Sequence, residues 1–316
     1  MAVNNSLVTQ QQAEMNLPFS TVINSVPYQK MISQALKDRN TANRFISSIV
    51  SAVATTPTLQ TCTPKTIVSA ALLGEALKLS PSPQLGQFYL VPFKQKEKRD
   101  KNGRVVAEAC TNATFVLGYK GYIQLATRSG EYKHINAMPI KEGELVDYNP
   151  FDDEITLQYT DNEELRATLP TIGYYAMFEY HNGFKKVMYW SKDKMIAHAA
   201  AYSPAFSAEG LKTLESGKVP QNELWKYSSF WYKDFDNMAC KTMLRQLISK
   251  WGLMSIEMQK AFDADGGVIG DNGEISFSDS EREKEEPQPQ QPENIIDAEV
   301  VTEPEAEESF ADMLGG

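Results

Sequence analysis

The chain has 316 residues, 42% of them hydrophobic, which supplies a sizeable core for one large domain or two ordinary ones. No uncharged apolar run reaches the ~18 residues of a membrane span, and residues 1–12 are Asn/Gln-rich without the basic-then-apolar order of a signal peptide, so neither export nor membrane insertion is expected. The formal net charge of −10 argues at first sight against a nucleic-acid partner, but residues 261–316 hold 17 acids and 2 bases, leaving 24 acids and 29 bases, net +5, in residues 1–260.

Taken in chain order, residues 1–26 are expected to be a flexible N-terminal segment, residues 27–263 the folded domain, and residues 264–316 a disordered acidic tail. A helix is expected over residues 41–54. A second starts at Thr63-Pro64, carries Ile67, Ala70, Ala71, Leu73 and Leu77 at roughly helical spacing, and stops at Ser80-Pro81. Residues 87–93 and 105–117 read as two strands of a hairpin, with Asn102-Gly103 as a type I′ turn signal between them. The connecting arm holds Lys94, Lys96, Lys98, Arg99, Lys101 and Arg104 against Glu97 and Asp100, a charge too costly to bury, so it is expected to project as a basic finger. A helix over residues 122–128, with Gly130 as its stop, comes next.

Residues 171–180 and 184–190 make a second hairpin around His181-Asn182-Gly183, and Ser191 caps a helix running to about Tyr202. After a loop containing Pro204, Gly210, Gly217 and Pro220, one long helix is expected over residues 223–250, ended by Trp251-Gly252. Hairpins followed by helices, with no regular strand-helix alternation, imply an α+β fold on an antiparallel sheet. In the tail, Phe310, Met313 and Leu314 stand at i, i+3 and i+4, one small apolar face suited to docking a partner.

For chemistry, the sequence offers more binding than catalysis. No segment has the Gly, four residues, Gly-Lys-Ser/Thr pattern that cradles a triphosphate, so a P-loop motor has no basis. Tyr119, Lys120 and Tyr122 interleave aromatic rings with a cation around Gly118 and Gly121, and a π-face for a base with an ammonium for a phosphate suits sequence-tolerant binding of single strands; a packed strand-to-helix turn explains the same residues structurally. Lys241 and Arg245 lie one helical turn apart, ~5.4 Å, close to the spacing of successive phosphates, while Met243, Leu244, Leu247, Ile248 and Trp251 supply the buried side. Lys185, Lys186, Lys192 and Lys194 flank Tyr189 and Trp190.

A metal-dependent phosphodiesterase is the enzyme alternative, through Asp147, Asp152, Asp153 and Glu154, with His134 nearby in sequence. These acids share a stretch with Asp161, Glu163 and Glu164 and show no convergent spacing, so an acidic solvated loop is the simpler reading. His134, His181 and His198 are scattered, and Cys62, Cys110 and Cys240 have no paired or metal-type spacing, which fits thiols packed as small apolar groups in a reducing compartment. Neither a catalytic residue, a metal nor a cofactor is called for.

Three segments together resemble the RecT-type phage single-strand annealing proteins: the Ala/Leu helix running through Lys78-Leu79-Ser80-Pro81 into residues 86–92, the block at residues 117–130, and Trp231 through Met238, Lys241-Thr242 and Arg245. They occur in the family's order and span most of residues 27–260. The expected DNA-binding set is the basic arm, Tyr119, Lys120, Tyr122, Arg128, Lys185, Lys186, Trp190, Lys192, Lys241 and Arg245. The resemblance implies a distant likeness to the lambda Red beta fold. It also implies ATP-independent binding of single-stranded DNA, pairing of complementary strands through an annealed duplex intermediate, and assembly into a homo-oligomeric ring or helical filament. The implied partners are a RecE-type exonuclease and a host single-strand-binding protein, in the cytoplasm of a bacterial host. A passive single-strand protector remains the non-enzymatic alternative.

Overall fold

The Asn-Gly hairpins written in the sequence are the frame on which the chain is built. The computed structural model describes residues 14, 17–99, 103, 105–107, 109–217, 219–270 and 273–277. The chain begins with helices α1 (Phe19–Ile23), α2 (Val26–Ala35), α3 (Arg39–Thr55) and α4 (Pro64–Ala76). Asp38 caps α3 by accepting from the Thr41 amide at 2.7 Å, and Pro64 stands in the first turn of α4 where no amide is needed. α4 ends at Ala76 rather than at Ser80, because Lys78 takes a left-handed φ of 53° that no helix continues.

Strand β1 (Phe88–Gln95) leads into a short ladder of β2 (Lys98–Arg99) and β3 (Val105–Ala107), then β4 (Cys110–Leu117) and helix α5 (Tyr119–Ser129). The expected single strand over residues 105–117 is therefore two strands, and of the expected turn only Gly103, at φ 75°, is described. Next come β5 (Tyr132–Lys141), β6 (Leu145–Asn149), β7 (Glu154–Leu157) and α6 (Glu163–Thr168). The stretch read as an acidic loop is thus a hairpin and a short helix capped by Asn162. β8 (Thr171–Tyr180) and β9 (Lys185–Ser191) form the second hairpin as expected, and Ser191 caps α7 (Lys192–Tyr202) at the Lys194 amide.

The segment expected as one long helix is divided. α8 (Ala208–Glu215) forms within the presumed loop, a 3-10 turn covers Gln221–Tyr227, and α9 (Phe230–Lys233) precedes α10 (Phe235–Trp251). Asp234, at φ −153° and ψ 66°, is the break between α9 and α10, and the Ser229 hydroxyl caps α9 at Trp231. α11 (Ile256–Ala264), β10 (Gly267–Ile269) and β11 (Ile275–Ser276) complete the described fold.

Among the described residues the strands form four antiparallel sheets, the two larger in the orders β1-β4-β10-β11 and β5-β8-β9, and two two-stranded ones, β2-β3 and β6-β7. In the first, Phe88, Leu90, Ala113, Phe115 and Leu117 point into the core, whereas Tyr89, Val91 and Phe93 alternate onto a half-buried outer face. α4 lies against this sheet, and α10 crosses β5, β8 and β9 while touching α5. One continuous core joins both layers. The fold is α+β, and its packed part exceeds residues 27–263 at both ends: Val22 and Ile23 are buried in the core, and β10 pairs with β4 through Gly267↔Phe115.

Candidate nucleic-acid interface

The block at residues 117–130 is a strand-to-helix junction pressed against the segment that enters β1. A side-chain carbon on Gly118 would lie 2.1 Å from the Gly86 carbonyl oxygen, and one on Gly121 would lie 2.1 Å from that of Gln87. Only glycine fits at both positions. The Gly118 amide donates to the Gln87 oxygen at 2.8 Å, so the first turn of α5 is pinned to the start of β1. Lys120 then emerges exposed from that first turn, its aliphatic stem along Gly86 and its ammonium 6.0 Å from the Tyr119 ring centre.

Around Lys120 the fold gathers aromatic rings from three distant stretches. Tyr119 is half-buried, and Tyr89, outward-facing on β1, lies with its ring centre 5.6 Å from that of Phe230, which is 42% exposed at the start of α9. Burial, then the Asp234 carboxylate, raises the hydroxyl pKa of Tyr89; burial, with Cys240 and then Asp234, does the same for Tyr119. Both rings are therefore neutral stacking surfaces at physiological pH. The result is an aromatic shelf with a cation beside it. Lys94, near the end of β1 on the face opposite Tyr89, and Lys96, just past that end, are also exposed.

Tyr89 and Phe230 were not in the expected set. Tyr89 could have been found from the alternation of β1, which sends residues 89, 91 and 93 outward. Phe230 could not, because the single helix expected over residues 223–250 hid the break at Asp234.

Of the other expected contacts, Tyr122 and Trp190 are corrected by their burial, and Lys241, Arg245 and Arg128 have partners within the fold. Tyr122 is fully buried and donates to Asp265 Oδ2 at 2.9 Å, so it presents no ring to a base. Lys241 Nζ and Arg245 Nη1 lie 2.9 and 2.8 Å from the two oxygens of Asp265, whose side chain is 4% exposed. Burial alone would raise that carboxyl, but Lys241 and Arg245 outweigh it and hold it below its ordinary range. The pair therefore neutralises an internal anion, with Lys241 largely buried and the Arg245 side chain 37% exposed. Trp190 is also buried, under Lys194 at 4.6 Å and beside His198. Arg128 donates to the Leu77 and Lys78 carbonyls, tying down the C-terminus of α4.

The remaining lysines divide in the same way. Lys186 pairs with Asp153 at 2.9 Å and sits over the Trp251 ring, and Lys192 pairs with Glu215 at 3.6 Å, whereas Lys185 is exposed at the β8–β9 turn. Lys98 and Arg99 lie on β2; Lys101 and Arg104 fall outside the described residues, as do Phe310, Met313 and Leu314. The carboxylates of the nuclease alternative are engaged locally: Asp152 accepts from Asn149 and Asp153 from Lys186. Among the described residues, no three His, Cys, Asp or Glu side chains are grouped to hold a metal ion. No helix among them is long and apolar enough to cross a membrane.

Comparison with known proteins agrees with the block pattern. The chain is 34% identical over 269 residues to the uncharacterized protein YqaK of Bacillus subtilis (strain 168), covering 83% of this chain and 79% of that one. It is 26% identical over 254 residues to the protein RecT of Escherichia coli (strain K12), covering 80% of this chain and 82% of that one. The family model of the RecT family matches residues 43–289, the greater part of the chain and all of the elements from α4 to β11. The chain belongs to the RecT family.

Proposed function

We propose that this protein binds single-stranded DNA without ATP and anneals complementary strands during homologous recombination, acting as an oligomer and not as an enzyme. The observation that carries the reading is the shelf of Tyr89, Tyr119, Lys120 and Phe230 in a chain of the RecT family. Stacked aromatic faces hold bases of any sequence, and exposed cations hold the phosphates between them. A strand so held keeps its Watson–Crick edges free, so a second strand can test pairing and specificity comes from the bases. The phosphate term is released by salt, since it depends on displaced counterions.

The exposed Lys94 and Lys96 stand where β1 ends and the basic arm begins, and with the rest of the arm, from Lys98 to Arg104, they guide DNA or a neighbouring copy. The acidic residues 278–316 act outside this track. Phe310, Met313 and Leu314 at their end dock a protein partner that supplies or protects the single strand, an exonuclease of the RecE type or a host single-strand-binding protein. This places the work in a bacterial cytoplasm, on a ring or filament of copies.

Mixing two complementary labelled oligonucleotides with the protein, with neither ATP nor divalent metal, tests the proposal. Duplex formation should accelerate in proportion to protein bound, and should slow steeply with added salt. Coating of both strands without faster pairing would leave only a protector, and cleavage on adding magnesium would restore the nuclease alternative.

A further inference from the structure

The lobe between β5 and β8 is braced far more firmly than a solvated loop needs. Glu144, 4% exposed, receives two bonds from Arg166 at 2.6 and 3.1 Å, together with the Lys141 amide at 2.8 Å and the Thr160 amide at 3.2 Å. Arg166 also donates to the Pro139 carbonyl and lies 4.6 Å from the Tyr159 ring centre. The hairpin above this anchor is held on its other side by Tyr148 against Tyr189 and by Asp153 against Lys186. What this scaffold presents, on the turn joining β6 and β7, is Phe151, 93% exposed. An apolar ring held out on a rigid arm is costly to leave in water.

Elsewhere on the chain is a half-open pocket of about 290 Å³ with Leu17, Phe19, Leu59 and Ile67 among its apolar walls and Glu14 and Gln60 as its polar ones. A volume of roughly 150 Å³ accommodates a benzene ring, so by size this pocket has room for a phenylalanine side chain. Charge matches as shape does. Residues 142–164 hold nine acids and no base, and residues 14–79, which form the walls and helices around the pocket, hold six bases and three acids, Glu14 being one of the walls. Lys30, Lys37, Arg39, Arg44, Lys65 and Lys78 are all exposed there.

We infer that Phe151 of one copy seats in the Leu17–Leu59 cavity of the next, with the acidic lobe of the first facing the basic N-terminal helices of the second. Knob and cavity are different surfaces of the same chain, so the contact is head-to-tail; it closes into a ring or continues as a helical filament according to the rotation it imposes. The inference rests on the oligomeric reading above and gives it an interface. It also accounts for the acids at residues 147–164, whose charge steers the approach of the basic layer and keeps DNA off this face.

The test uses the full chain and two surface variants, F151D and L17E, which remove the knob and block the cavity. Wild type should assemble on complementary oligonucleotides, as read by sedimentation and particle imaging. Each variant alone should need roughly 30-fold more protein to assemble, the loss expected of an interface hot spot. F151D should keep the wild-type thermal midpoint, since its side chain touches nothing it would disturb. Mixed one to one, the variants retain one good cavity and one good knob, so they should form dimers and nothing longer.

A benzoylphenylalanine placed at position 151 should cross-link to residues 14–67 of another copy. Assembly of F151D at wild-type concentrations, a mixture that yields no dimer, or a cross-link within one chain or to any other region would overturn the inference. Cavity filling by the same chain's residues 1–13 would appear as loss of the intermolecular cross-link. Annealing by a chain that does not assemble through this contact removes the interface and keeps the function; assembly through it without annealing does the reverse.

Discussion

Two cation-bearing segments, residues 118–122 and residues 241–245, look alike as sequence and differ completely as structure. Both set cations among large side chains, Lys120 between two tyrosines and Lys241 and Arg245 one helical turn apart beside Met243 and Leu244. In the first, two glycines force a helix end against Gly86 and Gln87, and Lys120 is left exposed over a shelf of rings. In the second, Lys241 and Arg245 close on Asp265, which comes from the α11–β10 junction and also accepts from the Leu117 amide and the Tyr122 hydroxyl. The lesson is that a cation's role is decided by whether the fold brings it a carboxylate. Local spacing carries no information about an acid 20 residues away.

The two segments are nonetheless linked, because Asp265 holds the last residue of β4 and the first turns of α5, from which Lys120 projects. The largest effect is expected there. Asp265→Asn should leave Lys241 and Arg245 uncompensated in a largely buried site and cost about 3–5 kcal/mol of stability, measured by denaturant unfolding. A loss below about 1 kcal/mol would mean that the network is dispensable and that its cations are available to DNA after all.

A second buried carboxylate gives a pH test. Burial would raise Glu144, but Arg166 and the Lys141 and Thr160 amides hold it at about 2, against an ordinary value of 4.5. A depressed carboxylate stabilises the fold above its unfolded pKa and loses that contribution as pH falls through the folded one. Protection of the amides in β6 and β7 against hydrogen exchange should therefore weaken between about pH 4.5 and 2, and Glu144→Gln should abolish that pH dependence. An unchanged profile in the variant would assign the transition to other carboxylates.

Smaller effects, on DNA alone, are expected from the exposed segment. Phe230→Ala should weaken single-strand binding by about 1–3 kcal/mol, the range for loss of one stacked base, with the thermal midpoint little changed. Lys120→Ala should weaken binding to all sequences alike and reduce the slope of log affinity against log salt by about 0.7, the share of one phosphate on a single strand. A normal slope would take Lys120 out of the contact.

Much of the fold was legible beforehand because its signals are local. The β8–β9 hairpin follows from Asn182-Gly183 between aromatic strands, α7 from Ser191, and the β1–β4 pairing from two strand-like runs on either side of the Asn102-Gly103 signal. β5 was missed since only Tyr132, Ala137 and Ile140 of its ten residues are buried, and a strand with Pro139 and scattered polar residues shows no clean period. The site was half legible. Tyr119 and Lys120 announce themselves, but burial of Tyr122 and Trp190, and the capture of Lys241 and Arg245 by Asp265, depend on contacts between distant parts of the chain.

The central claim is that the strand lies on the shelf of Tyr89, Tyr119, Lys120 and Phe230. Photo-cross-linking of a bromouracil-substituted single strand to the full chain, followed by peptide mapping, tests it most directly. Cross-links should fall on Tyr89, Tyr119 or Phe230 and vanish at high salt as the strand is released. Cross-links confined to residues 241–251, or to the acidic lobe at residues 142–164, would contradict the account.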